Sequence, residues 1–250
     1  MFYKNKMRRF VTAAIVVLAL VSAGCATTAH DVRHVYSDNK LFNEAVIDSV
    51  FAEADEIKPL VTLNPDDPMT TWKGGKVLLL TYHSYSDSYT AGADYVTKYG
   101  EVWTVTDKEI LGWFSKNGVK TTDLKTRFNQ LYGFPPEKNN SHFSGLWVNP
   151  ADVKRPAYES STVKQVGELK LPKDVDADFK KWFDGNIVFS YFDSAYPWTR
   201  LGYTYDWAPG SNEYGLSEFI VLKGVTVNVE FTKTFDEFIE WLKNGGIIER

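Results

Sequence analysis

Apolar residues recur every three or four positions in several segments, which is the spacing of one face of an α-helix. The predicted helices cover residues 39–57, 106–117, 124–131, 175–183 and 234–244. Two helix starts have the spacing of a capping box, in which a Thr and a Glu three residues later satisfy each other's backbone amides. These pairs are Thr106 with Glu109 and Thr234 with Glu237. The pattern therefore predicts several helices, two of them with defined starts.

Other segments have the patterns of β-strands. The predicted strands cover residues 77–82, 101–105, 142–148, 187–192, 201–207, 216–222 and 225–231. Segment 77–82 is a continuous apolar run, which indicates a strand that is central in its sheet, and the largely apolar segment 187–192 indicates a buried strand. The last two strands are separated by Lys223 and Gly224, which predicts a short hairpin between them.

The order of these elements predicts the fold class. Helices and strands interleave in the first part of the chain, whereas the C-terminal strands follow one another through short turns. We therefore expect an α+β fold, with a mixed or largely antiparallel sheet packed by helices. The chain has 250 residues, of which 44% are hydrophobic, enough to bury a sizeable core. Residues 38–250 contain no repeat or long polar linker, so we expect a single globular domain there.

The N-terminus has the composition of a signal peptide. Basic residues lie between Lys4 and Arg9, and residues 10–21 form an apolar run shorter than the roughly 20 residues of a bilayer span. The following Val21-Ser22-Ala23-Gly24-Cys25 resembles the lipobox of bacterial lipoproteins. The resemblance implies a cleaved signal peptide at 1–24, lipid on Cys25 and a tether within 25–37. The alternative is a plain secretory signal that leaves Cys25 as a free thiol.

The lipoprotein resemblance also implies a location. Ala26 follows the cysteine, where lipoproteins retained in the inner membrane usually carry Asp. We therefore expect a protein of the cell envelope that is lipid-anchored to the outer membrane, on its periplasmic or its outer side. The membrane would be a partner through Cys25. Because Cys25 is the only cysteine, no disulfide can form within the chain, and the domain must be held by its core.

Charge and motifs exclude several classes of function. Without the four basic residues of the signal peptide, 24 basic and 32 acidic residues remain, a net charge of −8. Nucleic-acid binding generally needs a basic surface, so nucleic acid is not an expected partner. The chain contains no HExxH, CxxC, GxSxG, GxxxxGK[ST] or GxGxxG motif. We therefore predict no metal site and no cofactor.

Two polar and aromatic stretches carry the candidate site residues. His83 follows the buried strand 77–82 in a segment rich in hydroxyl groups, and an imidazole there could act as a base or a ligand. Residues 196–218 hold the densest group of aromatic side chains together with a cation and acids. If the two stretches meet, one cleft would be lined by His83, Tyr85, Arg200, Tyr205 and Asp206. Otherwise the aromatic residues are core and the polar ones are structural.

Two functions are compatible with these observations. The first is a binding or structural lipoprotein that holds an envelope glycan, a peptide or a protein partner. The second is an envelope hydrolase or transferase that uses His83 with Asp206 or Glu218. The absence of a nucleophile or metal motif favours binding, whereas a pocket that joins His83 to an acid or to Arg127 would favour an enzyme.

Overall fold

The structure is a computed structural model that describes residues 37–193 and 195–248. The predicted signal peptide, Cys25 and the tether up to residue 36 lie outside the described residues. In the described part the helices are α1 (Lys40–Asp48), α2 (Asp107–Lys116), α3 (Leu124–Leu131), α4 (Ala177–Val188) and α5 (Phe235–Lys243). The first strands are β1 (Trp72–Lys73), β2 (Lys76–His83), β3 (Asp94–Val96), β4 (Val102–Thr106) and β5 (His142–Val148). The remaining strands are β6 (Val153–Lys154), β7 (Tyr203–Asp206), β8 (Glu213–Val221) and β9 (Thr226–Thr234).

These nine described strands form one sheet, with the order β3-β9-β5-β2-β4-β8-β6. Strand β1 pairs with β2, and β7 pairs with β8. Every strand pair is antiparallel. The α+β class with a largely antiparallel sheet packed by helices is therefore confirmed.

The link between β8 and β9 shows that the sheet is strongly curved. Three strands lie between β8 and β9 in the sheet, which would separate them by roughly 19 Å if the sheet were flat. Thr97 nevertheless contacts both ends of the link, because its hydroxyl donates to Leu222 O at 2.7 Å and its amide donates to Val225 O at 3.0 Å. The predicted hairpin at Lys223 and Gly224 is wrong, because β8 and β9 do not pair with each other. Strand β9 pairs with β3 and β5, whereas β8 pairs with β4, β6 and β7.

Both faces of the sheet are covered by apolar side chains. Leu79, Val229 and Phe219 lie in the cluster on one face, while Leu80 and Phe143 lie in the cluster on the other. Helices α2, α3 and α5 contribute to the second cluster, which explains why β2 is apolar at nearly every position.

Helix α5 follows its sequence pattern closely. Thr234 and Glu237 form the predicted capping box, in which the Glu237 carboxylate accepts from the Thr234 amide at 2.8 Å. Phe238, Ile239 and Leu242 on its apolar stripe are buried. Phe238 stacks on Phe143 of β5 with ring centroids 3.8 Å apart.

The second predicted capping box does not form. Thr106 makes no capping hydrogen bond to α2. The Glu109 carboxylate instead accepts from the Ser217 amide at 2.9 Å and from the Ser217 hydroxyl at 3.1 Å. Glu109 thus ties α2 to strand β8, a distant partner that the local spacing could not reveal.

Two other predictions require correction. The helix predicted at 39–57 ends at Asp48, and Ala54–Glu56 form a separate short turn of 3-10 helix. The strand predicted at 187–192 is instead the end of α4, followed by a π-helical turn over Phe189–Asp193. Asp176 caps α4 by accepting from the Phe179 amide at 2.8 Å, and the helix continues through the apolar run. A short apolar run does not distinguish strand from helix by itself.

Candidate functional site

The sheet splits between β2 and β4. These strands pair only where Leu79 lies opposite Thr106 and Leu80 lies opposite Val105. Beyond this point β2 stays with β5 as far as His83, while β4 stays with β8 as far as Val102. Because each strand keeps its outer neighbour, a gap opens between the end of β2 and the start of β4.

A cavity of about 430 Å³ lies at this gap. Its wall is formed by the separated ends of β2 and β4, the end of α3, the end of α4, β7 and part of β8. Much of the wall is aromatic, including Tyr82, Trp103, Tyr132, Phe134, Tyr196 and Trp198. Pockets of about 300–1,000 Å³ with apolar walls and a few polar groups are typical small-molecule sites.

The turn after α3 places two of these rings. Gly133 adopts a φ of +67°, which side chains with a Cβ rarely tolerate. A Cβ there would lie 3.2 Å from Tyr205 O, so the turn packs directly on β7. The reversal holds Tyr132 and Phe134 side by side, with ring centroids 5.6 Å apart.

Glu218 is the acidic residue that β8 contributes to the wall. It lies opposite Val105, on the sheet face that carries Leu80 and Tyr82. Glu218 is partly buried, and this desolvation raises its pKa to about 8. No cation or hydrogen-bond donor of the described residues offsets this cost. The carboxyl is therefore mostly protonated at pH 7, and no side chain in the described part of the chain pairs with it.

Tyr132 contributes a second polar group without a partner. Its hydroxyl is buried and makes no hydrogen bond to any residue that the structure describes. Burial, and then the charges of Tyr82, Glu109 and Glu218, raise its pKa well above the ordinary value of 10. The hydroxyl therefore remains a donor at every physiological pH. An unsatisfied buried polar group costs about 1–3 kcal/mol, so the Tyr132 hydroxyl suggests that the cavity binds a partner for it.

His83 is held in a directional chain of hydrogen bonds. The Tyr85 amide donates to His83 Nδ1 at 3.1 Å, so the ring proton is on Nε2. Nε2 then donates to the Ser144 hydroxyl at 2.8 Å, which leaves the Ser144 proton for Thr232 Oγ1 at 2.7 Å. The Thr232 hydroxyl ends the chain by donating to Tyr89 O at 2.5 Å. Each member of the chain is satisfied.

This chain determines what His83 can do. Burial, and then the neighbouring His142, lower the pKa of His83 to about 4, so the ring is neutral at physiological pH. Its Nε2 carries the ring proton, and its Nδ1 already accepts a hydrogen bond from the Tyr85 amide. Neither nitrogen is therefore free to act as a base toward Ser144. The chain instead fastens the loop that holds Tyr85 and Tyr89 to strands β5 and β9.

Asp206 lies outside the wall of the cavity. Its carboxylate accepts two hydrogen bonds from the Arg127 guanidinium, at 2.9 Å and 2.6 Å. The Arg127 guanidinium also lies 4.9 Å from the centre of the Trp113 ring. The two charged groups therefore form an ion pair that joins α3 to β7, and Asp206 does not line the predicted cleft.

Arg200 also lies outside the wall. Its guanidinium donates to Ser49 O at 2.7 Å, to Val50 O at 2.6 Å and to the Tyr158 hydroxyl at 2.9 Å. Arg200 thus closes the end of α1, because its donors satisfy the carbonyl oxygens there.

Of the predicted cleft residues, His83, Tyr85 and Tyr205 do line the cavity. Tyr85 is 65% exposed and lies in the loop that β2 leads into. Tyr205 is buried, and its hydroxyl donates to Asp48 Oδ2 at 2.9 Å. Tyr203 and Trp207 are buried as well, so the aromatic alternation of this segment builds core and cavity wall rather than an exposed platform.

Three carboxylates meet elsewhere on the surface. Asp48, Glu56 and Glu213 have oxygen atoms that all lie within 4.8 Å of one another. Burial raises the pKa of Glu56, and the charges of Asp48 and Glu213 add to that effect. Carboxylate oxygens are ligands for Ca²⁺ and Mg²⁺, but exposed acidic groups often meet without binding an ion.

Comparisons with known proteins do not assign this site. No family model, no curated protein and no solved structure matches the chain. Among residues 37–193 and 195–248, no helix has both the length and the apolar character needed to cross a bilayer. Tyr132 is a residue of the cavity that the sequence pattern did not single out.

Proposed function

We propose that this protein is a membrane-anchored binding protein whose domain takes up a small organic ligand in the cavity between β2 and β4. The observation that carries the proposal is the Tyr132 hydroxyl, which is buried without a partner among the described residues in the same aromatic wall as the partly buried Glu218 carboxyl. Buried polar groups are normally hydrogen-bonded, so a ligand that accepts from this hydroxyl and also contacts Glu218 would remove the free-energy cost of the missing hydrogen bond.

The arrangement of His83 supports binding over catalysis. Both of its ring nitrogens are engaged in the chain that holds the loop after β2. A general base needs a free nitrogen within reach of the proton that it abstracts. The ligand-binding role assigned to Tyr85 and Tyr205 remains part of the proposal, because both line the same cavity as Glu218.

The anchor is the second part of the proposal. Lipid on Cys25 would hold the domain at the outer membrane, and a tether of this length spans about 40 Å when extended. Several acyl chains on one residue would satisfy the requirement that stable anchoring needs more than one lipid signal. The ligand would then come from the cell envelope.

A thermal-shift screen of small molecules with the full-length protein in a maltoside detergent tests the binding function. Asn186→Trp places a large ring in the wall of the cavity, whereas Lys181→Trp changes an exposed residue of the same helix. We expect ligands that raise the melting temperature of the native protein and of Lys181→Trp, but not of Asn186→Trp. Ligands that stabilise all three proteins equally, or a screen without any ligand, would contradict the proposal.

A hydrolase or transferase is the second candidate, and the observation that favours it is Glu218. A carboxyl whose pKa lies near the working pH is suited to act as a general acid. His83 and Asp206, the other groups of the original hypothesis, have structural partners. Turnover of chromogenic glycosides or esters that Glu218→Gln abolishes would establish this alternative.

A further inference from the structure

We infer that the cavity binds an organic ammonium ion, with its cationic nitrogen beside Glu218 and its alkyl groups against the aromatic wall. The inference rests on the proposed binding function and specifies the chemistry of the ligand.

The charges of the wall favour a cation. Apart from its tyrosines, the ionisable residues that line the cavity are Glu218, Glu101, Lys138 and His83. His83 is neutral, and Lys138 Nζ donates to the Tyr196 hydroxyl at 3.3 Å. The wall therefore holds two carboxyl groups and one lysine that already has a partner. An ionised Glu218 would repel an anion in the cavity, whereas it would attract a cation.

The aromatic rings favour a compact cation over a flat one. Trp103 and Trp198 meet at 83°, with their centroids 6.1 Å apart. Tyr82 and Tyr132 meet at 62°, with their centroids 5.7 Å apart. Rings at steep angles form corners that can surround a rounded group, and aromatic faces arranged in this way attract ammonium ions.

The same sheet face brings these rings to Glu218. Trp103 and Val105 are two positions apart on β4, so their side chains lie on the same face of the sheet. This is the face that carries Tyr82. Glu218 lies directly opposite Val105 and is a diagonal neighbour of Trp103. A carboxyl and the rings of an aromatic corner therefore converge from β2, β4, β8 and the turn after α3.

Binding of a cation would change the protonation of Glu218. The empty cavity favours the neutral carboxyl, since burial penalises the charged form. A cation favours the carboxylate, so binding near pH 7 should release a proton to the solvent. A neutral ligand that accepts a hydrogen bond from the protonated carboxyl would bind without release and would weaken as the pH rises.

Titration calorimetry with choline and with its neutral isostere 3,3-dimethylbutan-1-ol distinguishes these cases. The full-length protein is used in a maltoside detergent, whose head group carries no ammonium. We expect choline to bind at least about tenfold more tightly than the isostere at pH 8.5, the factor that a modest cation–aromatic attraction supplies. Choline affinity should increase from pH 6.5 to 8.5. At pH 7 the heat should depend on the ionisation enthalpy of the buffer.

Two variants locate the cation. Glu218→Gln should lose at least about tenfold in choline affinity together with the pH dependence, while its affinity for the isostere changes little. Glu240→Gln, an exposed carboxylate of α5, should behave as the native protein. Melting temperatures verify folding, and the pH dependence in the native protein is informative even where a variant fails to fold.

The remaining outcomes distinguish failure of the ammonium inference from failure of the binding function. If the isostere binds as tightly as choline, or if affinity falls as the pH rises, the ammonium inference is refuted and the binding function stands. If neither probe binds but the screen finds ligands that Asn186→Trp excludes, only the ammonium inference fails. If neither probe binds and the screen finds nothing, both fail.

Discussion

Asp206 and Arg127 form a bidentate ion pair, with the two guanidinium nitrogens 2.9 Å and 2.6 Å from the two carboxylate oxygens. The pair joins the middle of α3 to the end of β7. The turn of Tyr132 and Phe134 begins where α3 ends, so this ion pair also supports one wall of the cavity.

Arg127→Met should destabilise the protein, because it leaves the buried Asp206 carboxylate without its partner. Breaking a buried ion pair typically costs about 3–5 kcal/mol in the free energy of unfolding. Urea denaturation measures this change. Lys180→Met removes an exposed ion pair to Asp184 and should cost less than about 1 kcal/mol. Equal effects of the two substitutions would show that the Arg127 pair is not structural.

Ser144→Ala should loosen the loop after β2. The substitution leaves His83 Nε2–H without an acceptor and Thr232 Oγ1 without a donor, which costs about 1–3 kcal/mol. Hydrogen exchange of the loop amides should become faster than in Ser86→Ala, which changes an exposed hydroxyl of the same loop. Unchanged exchange would mean that the chain through His83 does not hold the loop.

Glu218 should make stability depend on pH. Its folded-state pKa is raised from 4.5 to about 8, so the folded protein binds this proton more tightly than the unfolded chain. The contribution is complete below the unfolded pKa and is lost as the pH rises through about 8. The stability of Glu218→Gln relative to the native protein should therefore increase from pH 5 to pH 8.

Comparison of two variants isolates this effect from other titrating groups. The stability difference between Glu240→Gln and the native protein should stay nearly constant over the same pH range, because that carboxylate is exposed. A constant difference for Glu218→Gln as well would show that the Glu218 carboxyl is not desolvated.

Phe238→Ala should be among the most damaging substitutions in α5. The Phe238 ring is fully buried against Phe143, and loss of a buried Phe typically costs about 3–5 kcal/mol. Denaturation should show this loss, whereas Phe51→Ala, which changes a ring that is 76% exposed, should have little effect. A tolerant response at Phe238 would mean that α5 is not integral to the core.

Cys25→Ser tests the proposed anchor. Without the thiol that is proposed to carry lipid, the protein should be released from the membrane fraction or remain as an unprocessed precursor. Cell fractionation and mass spectrometry of the N-terminus measure both outcomes, with Ser22→Ala as a control that retains the cysteine. Normal cleavage with continued membrane retention would argue against lipidation of Cys25.

Local patterns predicted the elements whose determinants are close in sequence. The Thr234–Glu237 box and the apolar stripe of α5 lie within one helix, and β5 has the predicted bounds. Prediction failed where a distant segment decided the outcome. Glu109 bonds to Ser217 instead of capping its own helix, and β9 leaves its neighbour in sequence to pair with β5.

The sequence by itself determined the α+β class, the C-terminal helix and six of the nine described strands, namely β2, β4, β5, β7, β8 and β9, because periodicity and capping act over a few residues. Only the tertiary structure decided which polar side chains form hydrogen bonds or ion pairs and which have no partner. Arg127 forms an ion pair with Asp206, and Ser144 forms a hydrogen bond with His83. The side chains of Glu218 and Tyr132 have no hydrogen-bond partner among the described residues. The cavity exists because β2 and β4 are held by different outer neighbours, and strand pairing across the sheet is not encoded in either strand alone.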